Sequence, residues 1–427
     1  MKRRGKVALS IGVAASVILG GIMPVHAASK TTVVFSTWGA PSELLRYKQF
    51  IANFEKSNPS INVVLQPVAD YTQYHAKLLT ELATGKAPDV FYLGDDKVGK
   101  YVQAGVLMPL NSMLNSSSST VKLSDFSPSL LGSVTRNGNV YGVPNDVNPD
   151  AWWYDKTVLT KAGITDDPAT LAAQGKWTTA AYNAMATKIA AAGATPLMAY
   201  HYWGTYWAWI TSQGGTVYDK NGNFVANKNP VSVAAIATLA KMVQDKTMAI
   251  ADDQPSGDSS DNQFVEHKVG FYPEGRYVIG TVSAAGSKDS YDIAPWPTPS
   301  GKAAPTDVAA SFLAINGKTK VKDAAFKFWS AYVGKAGQIF RLSTGGNAVP
   351  SIQGVDSIVT SSKYPAHAQT FLDMVHIGYT NAAIEATVPG LSDDIAKEMR
   401  AIYAGTDTAQ AGLDKIAALV TAAQKKK

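Results

Sequence analysis

The sequence predicts an α/β protein folded as two lobes around a ligand cleft, and three observations point there. At 427 residues the chain is longer than one hydrophobic core usually serves. Its first hundred residues alternate strand and helix signals, the pattern of parallel pairing with right-handed crossovers. The stretch YGVPNDVNPDAWWYD, Tyr141 to Asp155, reads as a passage from one lobe to the other. Proline has no N–H and a fixed φ, so the residues before Pro149 cannot lie inside a central sheet ladder. That leaves Asn145, Asp146 and Asn148 to face the cleft, with Trp152 and Trp153 just beyond.

Taken in order, Thr32 to Phe35 is a β-branched and aromatic strand ending at Trp38-Gly39. Pro41 opens a helix whose Leu44, Tyr47, Ile51 and Phe54 recur at three and four. Ile61 to Leu65 is a second strand. Tyr71, Tyr74, Leu78 and Leu82 mark a helix stopped by Gly85. Pro88 to Leu93 is an apolar run of the length expected for a strand buried on both faces, ended by Gly94-Asp95-Asp96. Ligands of such sheets bind beyond the carboxyl ends of strands, where Trp38 and the Asp95-Asp96 pair both fall. Asn115 to Thr120 is a surface loop. Trp177 to Ala192 is a helix ended by Gly193, Pro196 to Ala199 a strand, Val231 to Gln244 a helix, and Gln254 to Asp261 a loop. Val269 to Tyr277 is a strand that breaks at Pro273 and Gly275, Tyr291 to Trp296 another, and Ser311 to Ile315 a third. Asp323 to Val333 is a helix, and the end is helical from Ser392, read as an N-cap, to the lysine tail.

At the N-terminus Lys2, Arg3, Arg4 and Lys6 precede an uncharged, largely apolar run from Val7 to Met23 and then Pro-Val-His-Ala-Ala. This is the order of a signal peptide, residues 1–27, cleaved after Ala27 or Ala28, the alternative for so long an apolar run being a signal anchor that stays in the membrane; without the leader the exported part carries 35 basic against 33 acidic residues, or +2. Such a balance gives no reason to expect nucleic acid as a partner. Cysteine is absent, which excludes disulfides, thiolate chemistry and a lipidated cysteine at the end of the leader.

The aromatic residues carry most of the chemistry. Sugars present apolar C–H faces and hydroxyl edges, so sites for them pair stacking rings with carboxylates and amides. Trp38, Tyr74, Trp152, Trp153, Tyr202, Trp203, Tyr206, Trp207, Trp209, Tyr277 and Trp296 supply rings, the densest group being HYWGTYWAWI, His201 to Ile210. Glu43, Asp95, Asp96, Asn145, Asp146, Asn148, Glu274 and Arg341 supply polar groups, with Gly275 and Arg276 beside Tyr277. Trp209, Trp329 and one of Trp152 and Trp153 are expected in the core; Trp38, Trp203 and Tyr277, at strand ends or beside glycine, are expected in the site. A carboxylate pair such as Asp95 with Glu274 would serve glycoside hydrolysis only at a defined separation, and binding without catalysis is the expectation. GDDKVGKY, Gly94 to Tyr101, approaches a phosphate loop, but Tyr101 replaces the required Ser or Thr and the two acids repel phosphate. The histidines show no metal-ligand spacing and no G-x-S-x-G elbow occurs, so no metal, cofactor or serine nucleophile is expected.

Four strings resemble the extracytoplasmic solute-binding proteins of carbohydrate ABC importers, the maltose-binding-protein-like family 1. They are APDVFYLGDDKVGKYVQAGVLMPL (Ala87 to Leu110), YGVPNDVNPDAWWYDKTVLTKAGI (Tyr141 to Ile164), VGFYPEGRYVIG (Val269 to Gly280) and DAAFKFWSAYVGKAGQIFRLSTGGNAVPSI (Asp323 to Ile352). The resemblance implies the class II-like periplasmic-binding-protein fold, with hinged lobes comprising 28–145 plus 311–345 and 146–310 plus 346–427. It implies crossings near Tyr141 to Asn148, Asp307 to Phe312 and Ser343 to Val349. By position, Asp96 and Asn148 match residues that hydrogen-bond sugar hydroxyls, Tyr277 stands where the family has a stacking Trp, and Trp203 matches the aromatic subsite of the second lobe. Function follows as capture of a di- or oligosaccharide by hinge closure and delivery to ABC permease transmembrane subunits, by an exported, periplasmic or extracellular monomer without lipid anchor. A polyol phosphate is the alternative cargo, which would require Arg276, Arg341 and Lys97 as its cations.

Overall fold

The computed structural model describes residues 29–39, 41–255, 258–343 and 345–425. The expected signal peptide lies outside the described residues. In chain order the principal strands are β1 (Thr31–Thr37), β2 (Ile61–Pro67), β3 (Val90–Gly94), β4 (Gly142–Pro149), β5 (Ala151–Asp155), β6 (Thr195–Ala199), β7 (Met248–Ile250), β8 (Val269–Glu274), β9 (Tyr291–Ala294) and β10 (Val308–Ile315). They form two five-stranded mixed sheets, ordered β2-β1-β3-β10-β4 and β9-β5-β8-β6-β7. The expected parallel unit is present: β1 pairs with β2 and β3 in parallel. β3 is buried at every position, as its unbroken apolar run requires.

The helices that position the site are α1 (Pro41–Ser57), α2 (Tyr71–Thr84), α3 (Val98–Gln103), α4 (Thr179–Ala191), α5 (Trp203–Ser212), α6 (Pro230–Gln244), α7 (Lys322–Val333), α8 (Lys335–Leu342), α9 (Ala383–Thr387), α10 (Leu391–Tyr403) and α11 (Ala409–Gln424). The ends of α2 follow from local chemistry. Asp70 accepts the Gln73 N–H at 2.7 Å, and Gly85 ends the helix at φ 71°, where a side chain would be strained.

β4 is the last strand of the first sheet, with a neighbouring strand on one side alone, where Pro144 and Pro149 cost fewest ladder bonds. Its pairing with β10 shifts between Ser311 and Phe312, so Asp146 faces Ser311, Pro144 faces Phe312, and Asn145 is bulged between them. The first expected crossing, Tyr141 to Asn148, is therefore mostly strand, and the chain changes sheet at Asp150. The return lies between Ala294 and Val308, and the third pass runs beside β4, where Val349 and Val147 exchange N–H···O bonds of 2.8 and 3.0 Å. Lobe boundaries drawn at 145 and 310 fall inside these paired strands.

Two local expectations change. Pro273 does not break its strand: β8 continues to Glu274, because the ladder toward β6 has already ended at Phe271 and proline has no bond to lose there. Ser392 is not an N-cap, since α10 starts at Leu391 after Gly390 at φ 81°, and the terminal helix is two helices, α10 and α11, broken around Gly405.

Candidate functional site

The first wall of the cleft is the turn after β3. Asp96 accepts the Tyr71 hydroxyl and, at 2.8 Å, the Lys97 ammonium. A Cβ on Gly94 would stand 1.7 Å from the Tyr71 oxygen, so only glycine lets the two meet. Half-buried Trp38 packs edge-on against Tyr71, Tyr74 and Tyr92 at 5.0 to 5.3 Å between ring centroids. Asp95 is buried and accepts the Ala310 N–H at 3.1 Å. Burial and then the charge of Asp96 push its pKa up to about 7, against the Ala310 N–H and the Trp203 indole, which favour the charged form. Trp203 comes from the other lobe, at the start of α5.

The floor is built where the chain changes sheet. Asp150 on the first pass accepts the Tyr202 hydroxyl, and Asp307 on the second lies 3.5 Å from the same hydroxyl. Glu274 ends β8, and all three acids are buried. Burial lifts Asp150 to about 7; burial and then the charge of Asp150 lift Glu274 and Asp307 well above the usual carboxylate range. Across the cleft, Lys97 reaches Asp393 of α10 at 3.0 Å, and Gly99 of α3 lies directly against the backbone of α9 at Ala386 and Thr387. Between the walls is a cavity of about 110 Å³ lined by Asp95, Ser129, Ser133, Phe312, Asn381 and Ala386, among others. A larger hollow of about 580 Å³ is lined by residues of the segment Asn111 to Asp125 alone and takes in none of the expected site residues.

This arrangement has known relatives. The sequence pattern of bacterial extracellular solute-binding proteins matches residues 40–339. The chain belongs to that family. A diacetylchitobiose-binding protein of Streptomyces coelicolor is 27% identical over 59% of this chain and 58% of its own. A binding protein of Brucella abortus is 31% identical, with 27% of each chain aligned, so the chain spans about a quarter to three fifths of the length of these curated relatives. Among solved structures, a Listeria monocytogenes ABC substrate-binding protein in complex with cycloalternan superposes with TM-score 0.79 at 20% identity, over 93% of this chain and 100% of that one. A maltose-bound T. maritima protein gives 0.74 at 21%, over 92% and 99%. The two-lobed, maltose-binding-protein-like fold is thereby established.

In this solute-binding protein the expected residues divide into groups. Trp38, Asp95, Asp96, Tyr202, Trp203 and Glu274 gather on walls and floor. Asn148 accepts the Arg276 N–H at 2.9 Å, and a Cβ on Gly275 would meet the Asn148 side chain at 2.8 Å, so these three form a tight corner with Tyr277, 36% exposed, at its rim. Glu43 accepts from Asn347 at 2.6 Å beside the third pass. The Arg276 guanidinium donates to the carbonyls of Leu342 and Ala348, and burial, then Arg46, bring its pKa down to about 10.

The remainder bond inside a lobe. Tyr74 donates to the carbonyls of Ser36 and Tyr92. Arg341 stacks 4.0 Å over Tyr332, donates to the Asn145 carbonyl at 3.0 Å and pairs with Asp146 at 3.5 Å. Trp296 donates to the Asp150 carbonyl at 2.6 Å, and Tyr206 packs against His201 and Trp207. Both Trp152 and Trp153 are in the core, where one was expected. Residues not anticipated are Tyr71, Asp150, Asp307, Asn381 and Glu385; of these Asp150 stood in the quoted crossing string, directly after Pro149. Among the described residues no group of acids and histidines has metal-binding geometry, and no helix is long and apolar enough to cross a membrane.

Proposed function

We propose that this solute-binding protein captures a di- or oligosaccharide between its lobes and hands it, chemically unchanged, to the transmembrane subunits of an ABC permease. The carrying observation is a ring beside carboxylates at the mouth of the inter-lobe cavity. Half-buried Trp38 packs on Tyr71, whose hydroxyl Asp96 accepts, and the neighbouring Asp95 lines the cavity with Asn381 and Ala386, which offers an aromatic face and hydrogen-bond acceptors at one spot. Relatives that bind diacetylchitobiose, cycloalternan and maltose support a saccharide cargo. A cavity of about 110 Å³ is well under the roughly 300–1,000 Å³ of drug-sized ligand sites, so a disaccharide enters with the lobes apart. Its affinity for the closed form then shifts the equilibrium. The passes at Asp150 and 295–307 and the segment around Val349 are the proposed hinge.

A polyol phosphate fits less well. Lys97 is held by Asp96 and Asp393, Arg276 by two carbonyls and Arg341 by Asp146 and Asn145, while the cavity between the lobes is lined by the carboxyl of Asp95 and by no Lys or Arg. We further infer that no bond is made or broken, that the protein works as a monomer, and that without cysteine it has no lipid anchor.

The test is a thermal-shift panel of mono-, di- and oligosaccharides, polyols and glycerol phosphate. A ligand at a hundred times its dissociation constant adds about 2.7 kcal/mol, a rise of a few degrees for a chain of this size. A saccharide that raises the midpoint and is recovered intact is the expected result. A response to glycerol phosphate alone, or cleavage of the sugar, overturns the proposal.

A further inference from the structure

Asn381 stands in the segment between the last pass over the first sheet and α9, and no sequence motif marked it. It is 7% exposed, yet neither its amide nitrogen nor its amide oxygen has a hydrogen-bond partner. Buried amides are almost always bonded, because the desolvation of an unmet donor and acceptor is unfavourable. Asn381 lines the cavity between the lobes, and the other polar side chains there are the buried carboxyl of Asp95 and the hydroxyls of Ser129, Ser133 and Thr380. Leu130, Phe312 and Ala386 supply apolar wall. The segment is fixed on the second lobe's side: Glu385, one turn on, accepts the Trp207 indole N–H at 2.9 Å and the Tyr218 hydroxyl. Lobe closure therefore brings Asn381 to Asp95.

We propose that Asn381 and Asp95 form a terminal-ring subsite for a neutral saccharide, which rests on the saccharide reading above. One amide supplies a donor and an acceptor side by side, the complement of two vicinal hydroxyls, of which one donates and one accepts. The Asp95 carboxylate accepts a hydrogen bond from a further hydroxyl, and the Phe312 and Leu130 wall covers a C–H face. The ring satisfies the amide that the protein leaves unbonded, so Asn381 selects for a ring whose adjacent hydroxyls are both free. A ring substituted at one of them is excluded from this end of the cleft.

The experiment is calorimetric titration of wild type and Asn381→Ala with maltose, β-1,6-galactobiose and N,N′-diacetylchitobiose, together with melting of both unliganded proteins. The expected outcome is an approximately tenfold or greater loss of affinity for the tightest of the three, with a melting midpoint equal to or above that of wild type, since a buried group without partners has been removed. A 2- or 3-deoxy analogue of the terminal ring loses affinity for wild type but no more for the variant. If a sugar binds wild type and Asn381→Ala binds it equally well, the subsite is wrong and the saccharide reading stands. A variant that loses affinity and melts well below wild type assigns Asn381 to the fold instead. No binding of any of the three sugars by wild type, with glycerol phosphate binding in their place, overturns both.

Discussion

Gly99→Ala isolates lobe closure from folding. On α3 of the first lobe, a Cβ at this position would lie 1.7 Å from the Ala386 carbonyl oxygen and 2.5 Å from the Thr387 Cα, both backbone atoms of α9. No rotamer relieves that contact; to reach even 3.0 Å the two helices must part by about 1.3 Å. The Lys97 to Asp393 pair and the cavity beside Asp95 are on the same seam and part with them. Overpacking a fitted contact costs roughly 1–3 kcal/mol, and here the cost falls on the closed form alone. Ligand affinity, which scales with the closed fraction, should drop about 5- to 150-fold. In the open form the same change replaces glycine inside a helix and should favour α3 by up to about 1 kcal/mol. The assay is calorimetry with the best sugar of the panel, beside melting of the unliganded protein and small-angle scattering with and without sugar. Lost affinity, an undiminished midpoint and a scattering envelope that no longer contracts are expected. Wild-type affinity, or a midpoint that falls along with affinity, refutes the assignment of this contact to closure.

Trp203→Ala and Asp96→Ala should each lower sugar affinity at least about tenfold with the fold retained, checked by calorimetry and circular dichroism. Asp393→Ala should cost less than about fivefold, because the Asp393 side chain is 64% exposed and such pairs contribute up to about 1 kcal/mol. His75 is buried, with Nδ1 facing the Tyr71 carbonyl and Nε2 accepting the Gly94 N–H, and burial brings its pKa down to about 4. The unfolded chain takes up that proton first, so stability is lost as pH falls from about 6.5 toward 4, by about 3 kcal/mol. A His75→Gln variant should show a flatter melting profile over that range. Asp150 acts in the opposite sense. Its raised pKa means that its contribution is full below about 4 and fades as pH rises through about 7, so Asp150→Asn should melt with wild type near pH 4 and a few degrees above it at pH 8.

The strand and helix alternation of the first lobe was legible because each element carries its own period: Val33 and Phe35 alternate inward on β1, and β3 is apolar throughout. What sequence could not show is that β10 inserts antiparallel between β3 and β4, since long-range pairing has no local signature. The two indoles of β5 make the same point. Trp152 and Trp153 face opposite sides of the sheet, one onto Trp177, Tyr182 and Trp209 and the other onto Phe371, so a strand covered on both faces buries both. At the candidate site, the strand-end rule pointed to Trp38, Asp95 and Asp96, which the fold places just after β1 and β3. Asn381 and Glu385 escaped because their place depends on a C-terminal segment folding back onto partners distant in the chain, Asp95 for Asn381 and Trp207 for Glu385.

The insertion of β10 also governs the order of assembly. Leu93 waits for Phe312 and Val143 for Leu313, and α7, which covers the same sheet, follows later still. Until those residues are made, the first sheet is β1, β2 and β3 with an uncovered apolar strand at its edge, an arrangement too incomplete to be stable. The first sheet is therefore completed only after β10 has been made, roughly two hundred residues beyond β3, and pairing over so long a separation slows folding.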